Sequence, residues 1–285
     1  MTTTREENQI HSQAVKTGKY TTWMNESGKG NAETILFLHG SGPGVTSIAN
    51  WSYALADCGE SFHCLAPDLY GFAKSDHPAE PLKNRQAWMD CWIEQVMEIL
   101  DHYQLEKVHV VGNSLGCSVA QELLLEYPER FDKVVLMGPG GTPNTKLSLE
   151  LMRAKSFYDS PSVKRLQQIM GWFVYDQEAM QPIIDGLTDD RFENAMKEEV
   201  KRSNNSIFST AAVPIPVVAL RRIKNPILLV HGRDDKVCSI ESSYYLLEHL
   251  NDAQLHVFSK CGHWTQIEKK DQFNHLIQEF FTGRL

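Results

Sequence analysis

The chain has 285 residues, 42% hydrophobic and 22% charged, the balance of an ordinary soluble globular protein with room for one large α/β domain or a domain with an insertion. Its net charge of -8 argues against a nucleic-acid partner, because neutralising phosphates needs clustered Lys and Arg, and no such cluster occurs. No apolar run approaches the ~20 residues that span a bilayer. The polar start, Met1 to Glu7, lacks the apolar core of a signal peptide, so a cytoplasmic protein with no membrane attachment is expected.

The first clear strand is the apolar run Thr34–Leu38, which leads into His39-Gly40-Ser41-Gly42-Pro43-Gly44. Phe62–Ala66 reads as a second strand and Arg85–Tyr103 as an amphipathic helix. Val108–Val111 is a third strand. It runs directly into Gly112-Asn113-Ser114-Leu115-Gly116 and a helical stretch to Tyr127, closed by Pro128. Lys133–Met137 follows as a fourth strand. Residues 145–212 then break the rhythm: they hold no convincing strand, many helix formers, and large apolar side chains such as Phe157, Met170, Trp172 and Phe173. That length far exceeds one crossover connection. The segment reads as a helical lid at 145–212, inserted into a core formed by 1–144 and 213–285. Pro214 and Pro216 mark the return to the core, and Pro226–Val230 and Gln254–Phe258 complete the strands. Near-continuous apolar strands alternating with helices predict a doubly wound, mostly parallel sheet covered on both faces. Ligands of such sheets sit outside the carboxyl ends of the strands.

Strand, Gly-x-Ser-x-Gly, helix is the context of a nucleophile elbow, which makes Ser114 the candidate nucleophile. A serine hydroxyl needs a base, an orienting acid and donors for the oxyanion. The acid is expected after a buried strand, in His231-Gly232-Arg233-Asp234-Asp235. Asp235 is preferred over Asp234, on the reasoning that the first aspartate of such a turn caps the backbone. The base is expected as His263, in Lys260-Cys261-Gly262-His263-Trp264 after the last strand. The N–H of Leu115 and that of Ser41, with Gly42 next in order, are the expected oxyanion donors. The 39–44 loop lacks the Lys-Ser/Thr ending of a phosphate-binding P-loop. The six cysteines show no metal spacing and read as reduced thiols, and the histidines are scattered. Neither a metal nor an organic cofactor is expected.

Together these residues resemble the α/β-hydrolase superfamily, and more narrowly the meta-cleavage product hydrolases, which split a carbon–carbon bond in ring-fission products of catechols. The resemblance covers most of the chain. It rests on His39–Gly44 with Asn50, on Gly112–Gly116 with Asn113 before the serine, on Met137–Gly141, on Phe173–Asp176, and on Leu255–Trp264. It implies an eight-stranded, mostly parallel sheet with helices on both faces and an inserted helical lid. It also implies the triad Ser114, Asp235 and His263, with Asn50, Asn113, Trp264 and Phe173 about the substrate. A lid arginine holding the substrate carboxylate is expected at Arg191, with Arg202 as the fallback. The substrate is a small-molecule 2-hydroxy-6-oxo-2,4-dienoate, cleaved by enol-keto tautomerisation and then hydrolysis. Relatives are often oligomeric, which admits a homo-oligomer. Ile48, Leu115 and Cys117 depart from the family pattern, which often has Trp, Met and Gly there. The runner-up is a carboxylesterase or related ester hydrolase using the same triad.

Overall fold

In the computed structural model, which describes residues 10–144 and 148–285, the alternating strands and helices close into one sheet. The polar start at 1–7 and the opening of the inserted segment at 145–147 lie outside the described residues. The strands are β1 (His11–Thr17), β2 (Tyr20–Ser27), β3 (Thr34–Leu38), β4 (His63–Pro67), β5 (Val108–Asn113), β6 (Phe131–Met137), β7 (Ile227–Gly232) and β8 (Ala253–Phe258). Their order across the sheet is β1-β2-β4-β3-β5-β6-β7-β8. β1 and β2 pair antiparallel, as do β2 and β4, and all the other pairs are parallel.

The first two strands have no counterpart among the runs read from apolar periodicity. β1 is polar and largely exposed, with only Val15 and Thr17 buried. An edge strand facing water needs no apolar run.

The helices are α1 (Ser47–Cys58), α2 (Arg85–His102), α3 (Leu115–Glu126), α4 (Leu149–Lys155), α5 (Val163–Trp172), α6 (Gln177–Met196), α7 (Glu198–Ile207), α8 (Val217–Leu220), α9 (Glu241–His249), α10 (Thr265–Glu268) and α11 (Lys270–Phe281). Strand side chains alternate between the two faces. Leu36, Val110, Leu136 and Leu229 pack with Trp88, Trp92 and Val96 of α2, Val119 and Leu123 of α3, and Leu246 of α9. Ile35, Val111, Val135 and Val230 pack on the other face with Trp51 and Leu55 of α1 and Phe273 and Ile277 of α11. Between β6 and β7, α4 to α7 carry a third apolar cluster of Phe157, Leu166, Ile169, Met170 and Ile184. It is seated on Val237 and Trp264, from the segments after β7 and β8. All six cysteines are free, and five of them are buried.

His39 ties the end of β3 to the chain leaving β4. Its Nε2 accepts the Leu69 N–H at 2.9 Å, and its Nδ1 donates to the Gly40 carbonyl at 2.6 Å. Only the neutral ring with its proton on Nδ1 makes both bonds. Burial drives the pKa of His39 below its ordinary value, against the pull of Asp68. A histidine with a lowered folded pKa contributes stability that is present above its unfolded pKa, about 6.5, and is lost as pH falls. The expected result is a Tm that declines as pH drops from about 7.5 to 5.5, with a shallower decline in His39→Gln. Parallel slopes in the two proteins, measured by calorimetry, would assign the acid sensitivity elsewhere.

Candidate active site

Ser114 sits between β5 and α3 at φ 50° and ψ -104°, in the left-handed half of backbone space. Such a conformation costs about 1–3 kcal/mol and survives only where its surroundings enforce it. Here they do. A Cβ on Gly112 would lie 2.6 Å from the Gly116 carbonyl, and one on Gly116 would lie 2.2 Å from the Leu38 oxygen. The Ser114 N–H is held by the Met137 carbonyl at 3.0 Å. Cys117, the departure from the family glycine, is buried, and its Sγ donates to the carbonyls of Gly112 and Met137. Leu115, the first residue of α3, keeps its N–H outside the helix ladder at the positive end of the dipole.

Asp235 follows β7 in a buried turn. Its Oδ2 accepts from Nδ1 of His263 at 2.7 Å, and its Oδ1 accepts the backbone N–H groups of Val237 and Cys238 at 2.7 and 2.9 Å. The buried ring of His231 lies 3.4 Å from Oδ2. Burial alone would raise this carboxyl, but the charge and hydrogen bonds of His263 and His231 outweigh it and hold Asp235 well below the usual carboxylate range. One part of the sequence reasoning is corrected here. The backbone cap and the histidine partner are the same residue, Asp235. Asp234 does neither: its Oδ2 makes no hydrogen bond and lies 3.8 Å from the Arg233 Nε. His231, anchored by Ser243 and the Cys238 carbonyl, was not singled out from sequence, where it is one more scattered histidine.

His263 is oriented from both sides. Its backbone N–H donates to the Phe173 carbonyl at 2.7 Å, and the Phe173 ring meets the imidazole edge-on. Ser114 and His263 line one small cavity together with Ser41, Gly42, Phe173 and Lys155. No hydrogen bond joins the two side chains directly in this structure, as is common before substrate binds. The Ser114 hydroxyl faces the Cys238 thiol. A second cavity of about 460 Å³ opens from Ser41, Ser114 and Leu115 toward Leu151, Phe208 and Arg85.

The other predicted residues gather around the 39–44 loop and line neither cavity. Asn50 accepts the Gly40 N–H at 3.0 Å, and Asn113 Oδ1 presses against Gly40, where an added Cβ would lie 2.5 Å from it. Arg191 is buried on α6. Its Nε donates to the Pro43 carbonyl at 2.9 Å, its guanidinium lies 5.7 Å from the Trp264 ring, and no carboxylate pairs with it among the described residues. Burial pushes its pKa down to about 10, so it stays charged at neutral pH. Arg202 instead donates to the Pro78 carbonyl from α7. Phe157 and Met170 are fully buried in the helical cluster and line neither cavity, unlike Leu151 and Phe208. Among the described residues, no group of three His, Cys, Asp or Glu side chains is placed to hold a metal ion.

A strained serine at the end of a strand, beside a histidine held by a buried aspartate, supplies the nucleophile and base of an acyl-transfer site. Comparison with known proteins agrees. A family model described as alpha/beta hydrolase fold matches residues 33–270. The chain is 32% identical over 265 residues to a 2-hydroxymuconate semialdehyde hydrolase of Pseudomonas sp. (strain CF600), covering 90% of this chain and 89% of that one. Its structure is similar to that of a serine hydrolase from Cycloclasticus zankles, with TM-score 0.91, 38% identity, and 96% and 99% of the two chains covered. It is also similar to a 2-hydroxy-6-oxo-6-phenylhexa-2,4-dienoate hydrolase from Rhodococcus sp. strain RHA1, with TM-score 0.92, 34% identity, and 96% and 99% covered.

The geometry separates the two adjacent aspartates. Asp235→Asn should lower kcat/KM for an activated aryl ester on the order of 10⁴-fold, because the amide orients the wrong imidazole tautomer. Asp234→Asn should stay within a few-fold of the parent. Comparable losses in both would show that the turn as a whole, and not the Asp235–His263 bond, sets the activity.

Proposed function

The chain belongs to the α/β-hydrolase fold family and, within it, to the meta-cleavage product hydrolases; from that membership we propose how its residues hydrolyse the carbon–carbon bond of 2-hydroxy-6-oxo-2,4-dienoates from aromatic catabolism. The observation that carries the residue assignment is the pairing of two features on one loop. Ser41 and Gly42 border the Ser114–His263 cavity, and the buried, carboxylate-free Arg191 is bonded to Pro43 next to them. A charged guanidinium buried without a counter-ion is costly. A substrate carboxylate supplies that counter-ion, and the planar fork of arginine suits it. Arg191 is therefore assigned over Arg202, which is engaged with Pro78. The helices α4 to α7, which cover this end of the sheet, serve as the lid.

With the carboxylate at Arg191, the dienol first ketonises. The enol proton is lost, and the carbon that will leave gains one, with His263 as the shuttle. Ser114 Oγ then adds to the distal carbonyl and gives its proton to His263, while Asp235 steadies the imidazolium. The oxyanion lies between the N–H groups of Leu115 and Ser41, with Gly42 adjoining. Collapse breaks the carbon–carbon bond, and the leaving dienolate takes the proton from His263 and departs as 2-hydroxypenta-2,4-dienoate, leaving an acyl group on Ser114 and a neutral imidazole. Water, deprotonated by His263, then frees the carboxylic acid and restores the serine.

The dienoate is coloured, so its loss is easily followed. Ser114→Ala should abolish cleavage while still ketonising the dienol, and His263→Ala should lose both steps. Arg191→Gln should lower dienoate turnover on the order of 10²-fold or more while changing aryl-ester turnover little. Rapid ester hydrolysis by the parent with no loss of dienoate colour would instead make the protein an esterase.

A further inference from the structure

The cavity that opens from Ser114 has a second charged end. Its wall runs past Leu151 and Phe208 to Arg85 and Lys155. Arg85 is the first residue of α2, and no acidic side chain stands in that first turn. The helix dipole favours an anion there and disfavours a cation. Lys155 closes α4 and borders the small cavity of Ser114 and His263 as well, so the wider cavity that holds both charges is continuous with the reacting centre.

Neither cation has a counter-ion. Among the described residues, neither side chain makes an ion pair or donates a hydrogen bond, and the Arg85 Nε is buried without a partner. Glu122 shares a smaller neighbouring cavity with Arg85 but does not pair with it. Instead both cations rest on one ring: Arg85 lies 5.7 Å and Lys155 5.4 Å from the centre of Phe208, and Arg85 also lies 5.1 Å from Trp92. Burial, and then the charge of Arg85, lower the pKa of Lys155, and burial pushes that of Arg85 down to about 10.

Ring contacts of this kind are worth about 0.5–2 kcal/mol each. They offset part of the desolvation of the half-buried Arg85, Lys155 being exposed, but neutral side chains would pack on Phe208 without mutual repulsion. Two like charges converging on the wall of a catalytic cavity instead match an anion inside it. We propose that Arg85 and Lys155 bind a carboxylate at the far end of the substrate's distal chain, so that the preferred dienoate is a dicarboxylate. This rests on the hydrolase reading of Ser114. Water then adds across the broken carbon–carbon bond as before, and the acid released from Ser114 carries two carboxylates. The reaction that supplies this substrate is an extradiol fission of a catechol whose side chain ends in a carboxylate.

The test uses two dienoates of equal length, one ending in a carboxylate and the other in the matching carboxamide. The parent enzyme should show a kcat/KM about tenfold or more higher for the carboxylate, falling with added salt. Arg85→Gln should remove most of that preference by raising KM for the carboxylate, with the carboxamide constants unchanged, and Lys155→Gln, which also borders the Ser114–His263 cavity, should raise KM for the carboxylate several-fold beyond any loss it causes on the carboxamide. Equal preference in the parent, or equal losses on both substrates in the variants, would overturn the proposal. The second of these outcomes would place the two cations on the dienoate end or in the packing of Phe208. Turnover of neither dienoate would overturn the hydrolase reading itself, which separates the two failures.

Discussion

The whole site depends on one steric constraint, the turn that holds Ser114 at positive φ between β5 and α3. Two glycines make it possible, since a Cβ at Gly116 would lie 2.2 Å from the oxygen that ends β3. The adjacent strands then carry the geometry outward. Ser114 N–H bonds to Met137 at the end of β6, and Gly138 N–H bonds to Val230 of β7, five residues ahead of Asp235. A Cβ on Gly138, at φ 55°, would lie 3.1 Å from the His263 ring. Three parallel strands thus end in register, and their hydrogen bonds bring serine, acid and base to one edge. A larger residue at Gly116 would press on the end of β3, and one at Gly138 would press on the His263 ring.

The second constraint is electrostatic. Asp235 is a buried carboxylate, and a buried charge persists only when its lone pairs are satisfied. Two backbone N–H groups take Oδ1, while His263, with His231 alongside, takes Oδ2. The aspartate is therefore ionised and fixed before any substrate arrives, so the imidazole is oriented at no cost during reaction. The cations follow the opposite rule. Arg191, Arg85 and Lys155 are left without carboxylate partners in a chain whose net charge is -8. A negative net charge argues against a nucleic-acid partner, but it says nothing of the sign inside a cavity.

Much of this was legible in the sequence because it is local. The six strands of the core are continuous apolar runs, and the elbow, the acid turn and the final histidine each lie within a few residues of a strand end. β1 escaped because a solvated edge strand has no apolar run to display, and β2 because its buried positions are largely polar, Thr22, Asn25, Glu26 and Ser27. Asp235 was reached through a wrong reason, since nothing in Asp234-Asp235 shows which carboxylate turns toward the backbone. Arg85 and Lys155 could not be read at all. They lie on helix ends far apart in the chain, where a lone cation looks like a solvated face. Only the closure of α4 over the sheet, next to the α2 N-terminus, puts them on one wall.

Cations at two ends of a site also determine how a substrate lies in it. A dienoate with a carboxylate at each end could enter in either direction, and only one direction brings the ketone to Ser114. The two ends differ in kind. Arg191 offers one planar fork, immobilised by Pro43 and Trp264 beside the oxyanion loop. Arg85 and Lys155 offer two separate charges on the wall of the wider cavity, both against the Phe208 ring. A rigid, conjugated carboxylate suits the fork, because its plane is fixed by the dienol. A saturated chain of variable reach suits the pair. Binding energy from the remote carboxylate, which takes no part in bond breaking, then goes into register. Register decides whether the carbonyl carbon stands within attack distance of the serine, where a misplacement of about 1 Å costs on the order of 10²-fold in rate.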